Sequence, residues 1–413
     1  MTDQRKLHFV GIGGAGMAPL AMIALETGCR VSGSDQRGSA KCDELAARGA
    51  RIVIVHRAEA LPPDADLLVY SSAVPPENPE RQEAARRGLP QLRRGEWLAE
   101  ICRGRKVAAV SASHGKTTTT AMLVHILRQS GADPGWMIGG AVPGLPSGHA
   151  GRDAWFVTEA DESDATHLLL RPEIALMPNV DDDHEWSLGG TATLMEHFRS
   201  FAQQSRHLLY DPAFAPPGFF EGHPDAAVPP PLPAGALPAL AGFLRTNAAF
   251  AVRAAEHIGV PEEKALAALA TFPGVERRMT LRGERGGVTL IEDYAHHPAE
   301  VEASLALLRE RYPGHHLRVL FQPHRYARLA KYLDRFAAIL RTADSVLVAP
   351  VFAAWSESGP ADSAELARRI GPRAKAVEGS WEEIAREAAA APERPLVLAV
   401  LGAGDLDAVF RYL

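Results

Sequence analysis

Cysteine is scarce in this chain, neither sign of charge dominates, and no long apolar run is present. Three cysteines occur in 413 residues, Cys29, Cys42 and Cys102. They form no Cys-x-x-Cys pair and cannot all pair with one another, which points to a reducing compartment and to thiols that simply pack. The formal charge of −6 is small for this length, and basic residues are scattered among acidic ones, so nucleic acid is not an expected partner. No apolar stretch approaches the roughly 18–20 residues of a membrane span. The N-terminal residues run directly into a strand-like stretch without a leader pattern. A soluble, cytoplasmic protein with no membrane partner is the expectation.

Apolar residues are plentiful at 46%, enough for two or three cores, since single domains usually span roughly 100–200 residues. In the first hundred residues, β-rich runs at 7–10, 30–34, 51–55 and 67–71 alternate with helical patterns from about residue 15 and near 43–48. That is the rhythm of a parallel sheet with crossover helices. A second α/β unit opens with a run at 106–111, followed by a helix at 117–130 and strands at 154–157 and 174–177. Between residues 212 and 238 the chain turns rich in proline, glycine and alanine, which predicts a loop or polyproline linker. A helical pattern resumes at 246–257. A third unit begins near Arg277, with strands at 288–292, 318–322, 345–349 and 396–401. The fold class expected is α/β in three units.

The first run leads into Gly11-Ile12-Gly13-Gly14-Ala15-Gly16, a turn that permits close backbone approach and aims a helix N-terminus at an anion. Asp35 ends the next run, where a carboxylate can reach a ribose hydroxyl. Alone, this predicts a dinucleotide-binding Rossmann unit; a turn that serves only packing is the plainer alternative. The second unit carries Ser111-Ala112-Ser113-His114-Gly115-Lys116-Thr117 between strand and helix. There Lys116 supplies a charge for phosphates, backbone N–H groups cradle them, and Thr117 offers a hydroxyl to Mg2+; a helix start capped near Thr117 or Thr118 is the alternative. Two such loops in succession exceed what a dehydrogenase needs.

Acids follow the next two strands: Glu159-Ala160-Asp161-Glu162-Ser163-Asp164, and Asn179-Val180-Asp181-Asp182-Asp183-His184. Strand ends of parallel sheets bind ligands, and oxygen donors with one imidazole suit Mg2+, although acidic runs are often only solvated loops. In the third unit, Asp293-Tyr294-Ala295-His296-His297-Pro298 and Gln322-Pro323-His324-Arg325-Tyr326-Ala327-Arg328 each follow a strand. Arginine there suits bidentate contact with carboxylate or phosphate, with a surface ion pair the alternative for Arg328. Arg277 and Arg278 sit at the junction of the second and third units.

Together these groups resemble the Mur ligases. The resemblance is carried first by residues 11–16 with Met17, Ser32-Gly33-Ser34-Asp35, Ser71-Ser72-Ala73 and Asn78-Pro79-Glu80. Further on it is carried by residues 114–120, 159–164, Asn179 with Asp183-His184, Phe272-Pro273-Gly274 with Arg277-Arg278, residues 293–301 and residues 321–326. It covers nearly the whole chain apart from the proline-rich middle. It implies a UDP-sugar-binding Rossmann-like domain at 1–104, a central P-loop-type ATP-binding domain at 105–275, and a C-terminal Rossmann-like domain at 276–413. It also implies ATP and Mg2+, and a carboxylate activated as an acyl phosphate and attacked by an amine. Residues 161–164 and 322–326 resemble the branch that joins L-alanine to the lactyl carboxylate of UDP-N-acetylmuramate in peptidoglycan precursor synthesis.

Carried over residue by residue, the resemblance implies Lys116, Glu159, His184, His297 and Arg325 as catalytic, with Thr117, Glu159 and His184 on metal. Nucleotide contacts would come from Ser113, His114, Gly115, Lys116, Thr117, Thr118, Asn247, Arg278 and Asp293. Substrate contacts would come from Gly11, Gly13, Gly14, Gly16, Asp35, Ser71, His324, Arg325 and Arg328. A monomer or homodimer is expected. The chain departs from the family in reading Ala112-Ser113 where the loop has Gly-Thr, Thr246-Asn247 where the family has His-Asn, and Glu185-Trp186-Ser187-Leu188-Gly189 after His184. The middle is also short, and Ala353-Ala354-Trp355-Ser356 replaces a turn of small and acidic residues. If a glycine is needed at position 112 for positive φ, the alanine costs about 1 kcal/mol. Alternatives are a paralogue that adds another amine or peptide, a nucleotide-binding homologue with little ligase activity, and an NAD-dependent oxidoreductase, the last opposed by the Lys116 loop.

Overall fold

A computed structural model describes residues 4–181, 189–354, 358–390 and 395–413. The chain separates into two compact units, one of residues 1–237 with 246–273, the other of residues 238–245 with 274–413. Each is α/β.

The first unit begins with β1 (Lys6–Val10), α1 (Ala18–Glu26), β2 (Arg30–Asp35), α2 (Ala40–Ala47), β3 (Arg51–Ile54), β4 (Leu67–Tyr70), α3 (Pro79–Arg86), β5 (Gln91–Arg93) and α4 (Arg94–Cys102). These strands form a parallel sheet of order β3-β2-β1-β4-β5. The helix expected from about residue 15 starts at Ala18, because residues 11–17 close turns of their own: Gly14 N–H donates to Gly11 O and Met17 N–H to Gly14 O. Pro19 then opens the helix, where its missing N–H costs nothing.

The unit continues with β6 (Lys106–Val110), α5 (Lys116–Gln129), β7 (Gly135–Met137), β8 (Gly148–His149), β9 (Trp155–Glu159), β10 (Ile174–Met177), α6 (Thr191–Gln203), β11 (His207–Tyr210), β12 (Ala226–Ala227), the part of α7 (Gly242–Ile258) from Thr246 onward, and α8 (Glu262–Leu269). Their sheet has the order β12-β11-β10-β6-β9-β7-β8, parallel except for the β7/β8 pair. The proline-rich stretch is therefore not all linker: it holds a turn at Pro212–Phe214, and β12 extends the sheet edge against β11. One apolar core, including Phe9, Met22, Phe156, Phe198 and Phe201, runs through both sheets of this unit.

The second unit holds β13 (Thr280–Arg285), β14 (Val288–Asp293), α9 (Pro298–Arg311), β15 (His316–Phe321), α10 (Tyr326–Leu340), β16 (Ser345–Val348), α11 (Ser363–Ile370), β17 (Ala374–Ala376), α12 (Trp381–Ala388) and β18 (Leu396–Leu401). The sheet order is β13-β14-β18-β15-β16-β17, with only β13 antiparallel. β18 is buried along its whole length, as the run Leu-Val-Leu-Ala-Val-Leu requires of a central strand covered on both faces. Its alternate residues feed two cores: Val397, Ala399 and Leu401 on one side, Leu396, Leu398 and Val400 on the other.

Candidate active site

Register brings three loops of the first unit to one edge. Val110, the last residue of β6, lies opposite Glu159 of β9 and Leu176 of β10. The segments after these strands therefore emerge side by side, where a parallel sheet presents its ligands. After β6 the chain turns on Gly115, whose φ of 81° is the left-handed value in this loop, and α5 begins at Lys116. Ala112 is not among the residues of positive φ, so the alanine there carries no backbone strain. Its carbonyl accepts a hydrogen bond from Lys116 Nζ at 2.6 Å. The loop is held from β10's side: His114 N–H donates to Asn179 Oδ1, Asn179 Nδ2 donates to His114 O, and Asp181 N–H donates to Ser113 Oγ. Thr118 is buried in the first turn of α5, and Asn247 is buried with its Oδ1 2.8 Å from where a Cβ on Gly115 would lie.

From β9 comes Glu159, which accepts Gly139 N–H on Oε1 and the Thr117 hydroxyl on Oε2 at 2.9 Å. Burial raises its pKa and outweighs these two hydrogen bonds. A buried carboxylate beside a hydroxyl at a helix N-terminus is an oxygen donor set that fits Mg2+, since a cation there would offset the burial of the charge. Three residues on, Glu162 grips Lys116 Nζ with both oxygens, at 2.8 and 2.9 Å. Burial pushes Glu162 up to about 7. It also disfavours charge on Lys116, but Glu162 and Asp161 outweigh it and keep the ammonium protonated. Asp161 is half-buried, and Arg94 and Lys116 outweigh its desolvation and hold its carboxyl well below the usual range.

At the matching edge of the first sheet, Gly11 N–H donates to Ser34 O and Ser71 N–H to Val10 O. Gly11, Asp35 and Ser71 thus converge. Asp35, expected to face a ribose, accepts Gly13 N–H on Oδ2 at 2.9 Å and so also shapes the glycine loop. Arg94 at the start of α4 was not among the expected residues; its Nε reaches Asp164 at 2.6 Å and its Nη2 reaches Asp161 at 2.5 Å. Also unforeseen is a buried network in which Glu80 accepts His8 Nε2–H, the Ser34 hydroxyl and His56 Nδ1–H. Asn78-Pro79-Glu80 was the only signal for it.

In the second unit, Asp293 and Phe321 both lie opposite Leu401, which gathers the two sequence groups at that sheet edge. Asp293, pushed up to about 6 by burial, accepts the Ser304 hydroxyl at 2.7 Å. Arg278 pairs with Glu300 at 3.3 Å, and both Arg277 and Arg278 lie over the Tyr294 ring. His324 stacks on Phe352 and accepts Arg328 Nη1 at 3.4 Å. Arg325 has a φ of 68°, and its N–H donates to Phe352 O. His297 is fully buried, edge-on to Tyr332. His184, with Asp182 and Asp183, lies outside the described residues. Among the described residues no helix is long and apolar enough to cross a membrane.

Comparison with known proteins agrees with this geometry. The family described as Mur ligase family, catalytic domain, matches residues 6–106, and the Mur ligase, glutamate ligase domain, matches residues 277–404. The UDP-N-acetylmuramate–L-alanine ligase of Renibacterium salmoninarum is 37% identical, across 98% of this chain and 94% of its own. That of Aquifex aeolicus is 35% identical, across 98% and 96%. Among solved structures, the UDP-N-acetylmuramate–alanine ligase of Thermotoga maritima superposes with a TM-score of 0.81 at 25% identity, covering 98% of each chain. A murein peptide ligase from Psychrobacter arcticus, at 22% identity and a TM-score of 0.69, covers 99% of this chain and 98% of its own and shares the fold.

Proposed function

The chain belongs to the Mur ligase family, and from that premise we propose that it is the ATP-dependent ligase joining L-alanine to the lactyl carboxylate of UDP-N-acetylmuramate. The observation that carries the proposal is the meeting of Lys116, Thr117 and Glu159 at the edge shared by β6, β9 and β10. A carboxylate oxygen takes the γ-phosphoryl group of ATP and ADP departs. The amine of L-alanine then attacks the acyl carbon, loses a proton and expels phosphate, leaving an amide. Phosphoryl transfer needs positioning and charge stabilisation more than covalent chemistry from the protein. Lys116 supplies the fixed positive charge, and the N–H groups of Gly115, Lys116 and Thr117 cradle the phosphates.

Mg2+ held by Thr117 and Glu159, with His184 on a second ion, would neutralise developing phosphoryl charge. Ser113, His114, Thr118, Asn247, Arg278 and Asp293 serve the nucleotide; residues 11–16, Asp35, Ser71, His324, Arg325 and Arg328 serve the sugar nucleotide; His297 serves the amino acid. The assignment includes domain limits at 104/105 and 275/276, a cytoplasmic location, and a monomer or homodimer. The absence of strain at Ala112 supports a working phosphate loop over a nucleotide-binding homologue without turnover. The test is phosphate release from ATP and Mg2+ with UDP-N-acetylmuramate, with and without L-alanine, then with glycine, L-serine and a tripeptide. Release that requires both the sugar nucleotide and L-alanine is expected. Release with the tripeptide in preference would move the chain to the peptide-adding branch.

A further inference from the structure

Arg94 follows β5 directly, at the sheet edge that also carries the glycine loop and Ser71. Its guanidinium has three working edges. Nε and Nη2 are taken by Asp164 and Asp161. Nη1 lies against the glycine loop so closely that a Cβ at Gly16 would collide with it, and it has no hydrogen-bond partner among the described residues. The next contact along α4 is as tight: a Cβ at Gly95 would collide with the Thr166 hydroxyl, which itself donates to Asp164 Oδ1 at 2.6 Å. Asp161 adjoins Glu162, and Glu162 holds Lys116. A chain of direct contacts therefore runs from Gly16 through Arg94 and the acidic run to the phosphate-loop lysine.

We propose that Arg94 is a positioning residue that ties the glycine loop to the phosphate loop, setting the carboxylate borne by the sugar nucleotide in register with the phosphoryl group at Lys116. The proposal rests on the ligase reading above. One guanidinium faces two carboxylates here, so the local sum is negative and Arg94 is not a surplus cation for drawing in a pyrophosphate. Its contribution is direction: a planar fork meets two acids and still presents Nη1 to the loop, which a lysine ammonium on a flexible stem cannot do.

The test compares the full-length wild type with Arg94→Lys and Asp164→Asn. Calorimetry gives the affinity for UDP-N-acetylmuramate with and without a non-hydrolysable ATP analogue and Mg2+, and steady-state assays give kcat and each KM. In the wild type each nucleotide should tighten the other by about fivefold or more. In Arg94→Lys that coupling should vanish while the separate affinities stay within about threefold, and kcat should fall by about tenfold to a hundredfold. Asp164→Asn should move the same quantities less far. An Arg94→Lys protein that melts earlier but keeps its coupling and kcat would overturn the proposal, leaving Arg94 a plain staple; so would a wild type without coupling. Coupling in the wild type without any ligated product would instead remove the ligase reading and leave the tie between the loops standing.

Discussion

His114 and Asn179 hold each other by two hydrogen bonds in opposite directions, 2.8 Å from His114 N–H to Asn179 Oδ1 and 2.9 Å from Asn179 Nδ2 to His114 O. An asparagine amide carries the donor and the acceptor this needs, and a carboxylate carries only acceptors. Asn179→Asp therefore sets a negative oxygen against a carbonyl, and Asn179→Ala leaves both backbone groups without their partner. Each should cost about 1–3 kcal/mol of stability and raise the KM for ATP about tenfold, with aspartate the worse. Melting curves and ATP titrations check this; an unchanged ATP KM in Asn179→Asp would show that β10 does not set the phosphate loop.

Glu159 and Thr117 are joined at 2.9 Å, and the two should fail differently when altered. Glu159→Gln keeps the shape but removes the charge from the oxygen donor set, and should lower Mg2+-dependent turnover by about a thousandfold. Thr117→Ala loses one neutral donor and should fall about tenfold to a hundredfold, recovering in part as Mg2+ is raised. Recovery of Glu159→Gln at high Mg2+ would argue that the ion is held elsewhere.

His167 is fully buried, and burial pushes its imidazole down to about 4. Between about pH 4 and its ordinary value near 6.5 the unfolded chain takes up a proton that the folded chain refuses. This contribution to stability is whole above about pH 6.5 and is lost as pH falls to about 4, by about 3 kcal/mol at most. Glu162 acts with the opposite sign: pushed up to about 7, it favours folding at low pH and loses that contribution as pH rises from about 4.5 to 7. Their windows overlap with opposite sign, so in the wild type the two contributions mask each other. Urea unfolding at several pH values, taken as the difference from His167→Gln, should rise with pH through the lower window. The difference from Glu162→Gln should fall through the upper one. Two flat differences would mean that neither group is kept from water in solution.

Much of this was readable because it is local. Unbroken apolar runs located β10 and β18 to the residue, and the Gly11 and Lys116 loops were recognisable from residues adjacent in sequence. What escaped was short or distant. β5, β7, β8, β11 and β12 have two to four residues each, too few to show a period, and take their form from a neighbouring strand. Arg94 meets acids 67 and 70 residues away, and His8 meets Glu80 at 72. A lone arginine in Arg93-Arg94 looks like any solvated base until the fold supplies its partners. Ala112 shows the converse: doubt raised by sequence was removed by a backbone angle, because the left-handed residue in the loop is Gly115.

Gly115 is thus where the loop should be least forgiving. With φ at 81°, any side chain pays a left-handed penalty of roughly 1–2 kcal/mol. Alanine adds a second cost, because its Cβ would lie 2.8 Å from Asn247 Oδ1. The two costs separate by experiment. In Gly115→Ala, stability should fall by about 2 kcal/mol and the KM for ATP should rise. Adding Asn247→Ala relieves only the clash, so the double variant should be less destabilised than the two single losses summed, by about 0.5–1 kcal/mol. The nucleotide defect should nonetheless persist, because the proposed nucleotide contact of Asn247 has gone. Strict additivity in a double-mutant cycle of unfolding free energies would place Asn247 away from the turn, and full recovery of ATP binding in the double variant would remove Asn247 from the nucleotide site.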